Sequence, residues 1–145
     1  MSESAYPDQA DALARWSLMQ ALWPSTLLVA GCVAHLLFAP AAQNGMLANA
    51  AQLAAVASGL AVVAFSAILV FDALLFRLMA SYEDEWNGGA AVDDILARMR
   101  LKPAPSTTRS LAARAAGTRR IVTQQRVAFG VLVLALALPQ FSPPT

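Results

Sequence analysis

Apolar residues in this chain gather into three runs separated by polar or proline-marked stretches. The middle run is the clearest, because residues 53–71 carry no charge and 73–76 continue it past Asp72. About 20 residues at ~1.5 Å each cross a hydrocarbon core of ~30 Å, so this run is long enough to span a bilayer by itself. The first run, 24–39, is bounded by Pro40 and reaches that length once residues 18–23 join it; Pro24 then either opens the span or kinks it. The third, 127–141, is closed off by Pro139, Pro143 and Pro144. The pattern predicts an all-α integral membrane protein, one domain over 1–145, with three transmembrane helices at 24–39, 51–77 and 121–142.

The polar flanks read as amphipathic interfacial helices. Residues 8–23 place Ala10, Leu13, Ala14, Ser17 and Ala21 on one stripe, a surface helix that turns into the bilayer at Pro24. Within the charged loop 82–120, Asn87-Gly88-Gly89 is expected to break the chain. Val92, Ile95, Leu96 and Met99 then follow at i, i+3, i+4 and i+7, the spacing of one helical face over about 91–101. Asp93 and Asp94 fall in its first turn and Arg98, Arg100 and Lys102 in its last, matching the helix dipole at both ends. After the stretch 103–108, a second piece is expected to start at Ser106 or Thr107, whose hydroxyls can cap free amides. It carries Leu111, Ala115, Thr118 and Val122 on one side and most of its arginines on the other.

Charge fixes an expected orientation. The chain is 58% hydrophobic and only 13% charged, against about 25% charged in ordinary soluble domains. Its net charge of +1 hides an asymmetry. Nine of the ten bases lie between Arg77 and Arg126 against five acids, while the connection 40–52 and the tail after Phe141 carry none. Lys and Arg resist translocation, so the basic loop is expected inside, with the N-terminus inside and the C-terminus outside. Trp16, Trp23 and Trp86 sit where residues that favour the water–lipid boundary belong. A signal peptide ending near 38–43 is disfavoured, because the long stretch before the first run is net negative rather than short and basic.

Candidate chemistry is sparse. Asp72 is an ionisable residue inside a span, a functional candidate by default, and Arg126 is expected at the same depth on the third span as its ion-pair partner. Cys32 and His35 share a face of the first span, but two ligands do not make a metal or haem site, and Glu83-Asp84-Glu85 lacks the ligand spacing of a calcium loop. With one histidine, no nucleophile–base set is assembled, so no cofactor or metal is expected. Ala51, Ala55, Ser58, Gly59 and Ser66 form a small-residue face that lets helix backbones approach closely. Arg109, Arg114, Arg119 and Arg120 are expected to contact anionic headgroups, each base contributing on the order of 1 kcal/mol near the surface. Nucleic-acid binding is excluded by the lack of aromatic interleaving or a known module.

These features point to a non-catalytic anchor or accessory subunit of a membrane complex, in the bacterial cytoplasmic membrane on compositional grounds. Its expected partners are the lipid bilayer and a membrane or cytoplasmic protein, with a second copy of this chain as a further candidate. A lipid-modifying enzyme and an oligomeric transporter or channel component are the alternatives.

Overall fold

In a computed structural model, residues 5–38, 46–101 and 108–137 are described, with backbone only at 33–38, 47 and 48. They form four helices and, among the described residues, no strand: α1 (Ala5–Phe38), α2 (Met46–Ala80), α3 (Glu85–Arg98) and α4 (Leu111–Ala137). Two of them, Asn49–Ala80 within α2 and Leu111–Ala137, are long and apolar enough to cross a membrane. Residue 39 of the expected first span, 138–142 of the third, Lys102 and the Ser106/Thr107 cap lie outside the described residues.

The long helices pack side by side in antiparallel register. Down the α2–α4 seam Asp72 meets Thr118, Leu69 clusters with Val122, Ser66 meets Gln125, and Ala55 clusters with Leu132 and Ala135. On the other side of α2, Ser25 of α1 reaches Ser66, and Leu28 lies 3.6 Å from where a Cβ on Gly59 would stand. Burial in this bundle is divided, since Val62, Leu69, Val122 and Leu132 are buried but small and polar residues share the seams with them and many large aliphatic residues lie outside. Ala14, Ser17 and Ala21 of α1, Ala51, Ala55, Ser58 and Ser66 of α2, and Ala115, Thr118 and Gln125 of α4 point inward. Leu27, Val29, Leu53, Leu60, Val63, Val127 and Leu134 point outward. Large aliphatic residues normally lead the ranking of buried types.

Three elements differ from the sequence pattern. The expected surface helix 8–23 and the first run are a single helix of 34 residues, about 51 Å long, with Pro24 buried inside it. Proline removes one backbone donor there. The next two residues add side-chain bonds to the preceding turn, from Ser25 Oγ to the Ala21 carbonyl at 2.9 Å and from Thr26 Oγ1 to that of Leu22 at 2.6 Å. The carbonyl that Pro24 leaves without its helical donor is that of Gln20, one residue before the first of these acceptors. The 8–23 stripe faces the bundle, with Ala10, Ala14, Ser17 and Ala21 all buried. In the same way the second amphipathic piece and the third run are both α4, capped by Ser110, whose Oγ accepts from the Ala113 amide at 3.2 Å.

The largest difference is α3, which begins at Glu85 and contains the Asn87-Gly88-Gly89 break. The glycines serve close packing. A Cβ on Gly88 would stand 3.1 Å from the Met79 carbonyl oxygen, and one on Gly89 would strike Thr108 Cγ2 at 2.5 Å. Starting six residues early moves Asp93 and Asp94 out of the first turn, where Asp84 caps instead by accepting from the Asn87 amide at 2.8 Å. The helix ends at Arg98 with bonds from Leu101 N to Leu96 O and from Arg100 N to Ala97 O, both 3.0 Å, and Arg100 at φ 55°. That is a Schellman turn with arginine where glycine is usual.

A left-handed L-residue costs roughly 1–2 kcal/mol. Arg100→Gly should therefore stabilise the α3 terminus by about 1 kcal/mol, measured as slower amide exchange at Met99 and Leu101 with the remainder of the protein unchanged.

Candidate functional site at the charged end of the bundle

All four helices converge where the charges lie. Ala10 and Ala14 of α1, Phe76 and Met79 of α2, Val92 and Leu96 of α3 and Leu111 of α4 form one apolar core, with Tyr6, Leu13 and Leu75 against it. Polar links then fasten α3 to α4. Glu85 accepts from the Leu111 amide, so it completes the N-terminus of α4 from a neighbouring element. Arg114 forms a salt bridge with Asp93 at 2.7 Å, both side chains less than a sixth exposed, and also donates to the Gly89 and Arg109 carbonyls at 3.3 and 3.4 Å. Of the acidic cluster, Asp84 and Glu85 thus cap helices. Backbone and side-chain hydrogen bonds from Asn87 hold the Asp84 carboxyl below its ordinary range. Burial, followed by the Glu85 charge, pushes the Tyr6 phenol up.

The Asp72–Arg126 ion pair expected from depth is replaced by two other contacts. Asp72 accepts from Thr118 Oγ1 at 2.9 Å, whereas Arg126 donates to Gln20 of α1 at 3.2 Å. The physical reason is register and rotation. Arg126 lies eight residues beyond Thr118, about 12 Å along α4 and about 80° around it, so it faces α1 while Asp72 faces the opposite flank. Among the arginines expected at headgroups, Arg109, Arg119 and Arg120 are exposed. Arg114 is instead committed to Asp93. Cys32 is exposed, the side chain of His35 lies outside what is described, and among the described residues no three His, Cys, Asp or Glu side chains group as metal ligands.

The small-residue face is brought together. Ala51, Ala55, Ser58 and Ser66 are buried and Gly59 half-buried against α1 and α4. Its centre is a hydrogen-bond chain that spacing alone did not reveal. Ser25 Oγ, whose single hydrogen is shared between the Ala21 carbonyl and Ser66 Oγ, lies 2.9 Å from the latter, Gln125 Nε2 donates to the same Ser66 oxygen at 2.8 Å, and Ser66 Oγ donates to the Val62 carbonyl at 2.8 Å. Gln125 is fully buried, and its Oε1 has no partner among the described residues. The signal in the sequence was an amide three residues beyond Val122, continuing the stripe of Leu111, Ala115, Thr118 and Val122.

On the flank of the α2–α4 seam away from α1, a groove of about 510 Å³ opens. Ile68, Phe71, Leu75 and Ile121 form its apolar walls, Leu96 and Leu101 close its charged end, and Asp72, Arg109, Thr118, Arg120 and Gln124 supply polar groups.

Two outcomes follow. Ser66→Ala strands the Gln125 donor and should cost about 0.5–2 kcal/mol. Gln125→Met added to it should cost little more, a coupling read by reversible unfolding of the four proteins of the cycle in mixed micelles. At Asp84 the folded carboxyl is depressed, so its capping contribution is complete above the ordinary carboxylate range and is lost as pH falls through the folded value. The Asn87 amide resonance should titrate with a midpoint below that of a free aspartate, and Asp84→Asn, which still caps, should abolish the titration.

No family model, no curated protein and no solved structure matches this chain.

Proposed function

We propose that the chain is an integral membrane protein of three spans, formed by the apolar parts of α1, α2 and α4, with its N-terminus inside and its C-terminus outside. It acts as a non-catalytic anchor or accessory subunit of a membrane complex. The observation that carries the membrane reading is the number of large aliphatic residues left outside: many Leu and Val lie on the outer surface of the long helices, while Ala, Ser, Thr and Gln share the seams with Val62, Leu69, Val122 and Leu132. In water such a surface would be an aggregation liability. In lipid it is the favoured arrangement, since small residues permit close packing and polar ones find partners between helices.

Length and charge support the same placement. α1 and α2 are each about 50 Å long, exceeding a ~30 Å hydrocarbon core, so the excess projects on the side where α3 and the arginines lie. That side is inside by the distribution of bases. The anchor role rests on form: a rigid four-helix head with exposed Trp86, Met99 and Leu101 is a surface for a cytoplasmic partner. The bacterial cytoplasmic membrane is the proposed location, on the alanine- and arginine-rich composition.

The test is topology labelling in a Cys32→Ala background. An impermeant thiol reagent applied outside should label Gln43→Cys and Ser142→Cys, and should reach Arg98→Cys only after the membrane is opened. Labelling of intact cells at Arg98→Cys, or recovery of the chain in the supernatant after a carbonate wash, would falsify the reading. For the anchor role, mild extraction and native mass measurement should give a fixed-stoichiometry complex with a different chain; a bare monomer or a homo-oligomer would favour an enzyme or a pore.

A further inference from the structure

The groove beside Asp72 is walled by side chains of two kinds arranged in order. At its deeper end, Ile68 and Phe71 of α2 and Ile121 of α4 offer an apolar strip, whereas Arg109 lies toward the charged end and Arg120 on the rim. Arg114 also faces the groove but is neutralised by Asp93. Arg109 and Arg120 are exposed and, among the described residues, neither joins a salt bridge. Two such guanidinium groups beside an apolar strip complement an amphiphile with a negative head, and guanidinium suits phosphate because its fork of donors matches the oxygens.

From this charge and polarity pattern we infer that the groove is a lateral site for one anionic glycerophospholipid of the inner leaflet. Its phosphate is held by Arg120, Arg109 adds a second positive charge about three turns nearer the charged end, and part of one acyl chain lies along Ile68, Phe71 and Ile121. The inference rests on the three-span reading, which puts the groove mouth at headgroup depth. The volume of about 510 Å³ suits a headgroup and part of a chain; small-ligand sites run from about 300 to 1,000 Å³. Asp72, bonded to Thr118, adds a polar group to the α2 wall. Arg119 points away from this groove and lines a different hollow beside Tyr6, so basic residues on α4 are divided between two faces rather than forming one undifferentiated headgroup surface.

Gly117 provides a steric probe. It lines the groove, and a Cβ built on it meets nothing within 4 Å. Gly117→Leu therefore fills the groove without disturbing a packed contact, and it replaces a poor helix former by a good one.

The full chain is reconstituted in nanodiscs of equal phosphatidylglycerol and phosphatidylcholine, released into mild detergent, and weighed intact with its retained lipid. Wild type should keep one phosphatidylglycerol in preference to phosphatidylcholine. Arg120→Gln should lower that preference about fivefold and Arg109→Gln should lower it less. Arg119→Gln should leave it unchanged, and Gly117→Leu should remove the retained lipid while thermal unfolding stays at or above wild type. Equal retention of the two lipids by wild type, or retention of phosphatidylglycerol by Gly117→Leu or by the Arg109/Arg120 double variant, overturns the site. A chain that resists carbonate extraction yet keeps no preferred lipid sinks the groove alone; a chain released by carbonate sinks the three-span reading beneath it.

Discussion

Among the described residues, Ser66 is the side chain through which all three long helices are joined by hydrogen bonds. Its hydroxyl accepts from Ser25 of α1 and Gln125 of α4 and is itself bonded to the turn below at Val62. For both partners to reach one oxygen the backbones must come close, and alanines at 51 and 55 with Gly59 on the same face of α2 make that approach possible. The pairings above and below follow from this point. Once Gln125 is opposite Ser66, an antiparallel helix pair places Val122 beside Leu69 and Thr118 beside Asp72 without further adjustment. The same register carries the Asp72 carboxylate to a hydroxyl donor and carries Arg126 around to α1, where Gln20 meets it.

At the charged end a different physics governs. The core there is conventional, with Phe76, Met79, Val92, Leu96 and Leu111 inside, and short-range polar fastenings set the position of α3. Asp84 caps α3, Glu85 reaches the Leu111 amide, and Asp93 with Arg114 fixes the roll of α3 against α4. The pair is mostly shielded from water, so loss of either partner would leave an uncompensated charge, the costly case for buried ions. Gly88 and Gly89 supply the close approach that brings Asp93 within reach of Arg114.

Element identity was legible in the sequence where the cause was local. The apolar run around 53–71, the small-residue face and the helical spacing of Val92, Ile95 and Leu96 all reappear as α2, its seam and the buried side of α3. Breaks were misread where packing overrode propensity. Pro24 and the Gly88–Gly89 pair are poor helix residues by intrinsic preference, and both lie in helices because packing holds them there: Pro24 is buried in the bundle, and the glycines make tight contact with Met79 and Thr108. Depth counting placed Asp72 and Arg126 together because it used one coordinate, distance along the axis. Helices also carry an angle, and that angle is set by a partner contact such as Ser66–Gln125 that no single segment contains.

The order of polar groups along the bundle then explains why the groove lies where it does. Moving from the apolar end to the charged end, the seams hold hydroxyl and amide groups at Ser25, Ser66 and Gln125, then the Asp72 carboxylate with Thr118 among its contacts, then the ion pair of Asp93 and Arg114. Charge thus increases toward the end where α3 and the arginines lie, and where it is shielded from water it is paired. The groove begins beside the middle step, with apolar walls on its deep side and guanidinium groups on the other. A gradient of this kind along one seam matches the polarity profile of a phospholipid from chain to phosphate, whereas a soluble ligand would be offered a polar site open to water at only one end. The position of the groove therefore follows from the same contact that holds the three helices together, the Ser66–Gln125 bond that sets the register of the α2–α4 seam.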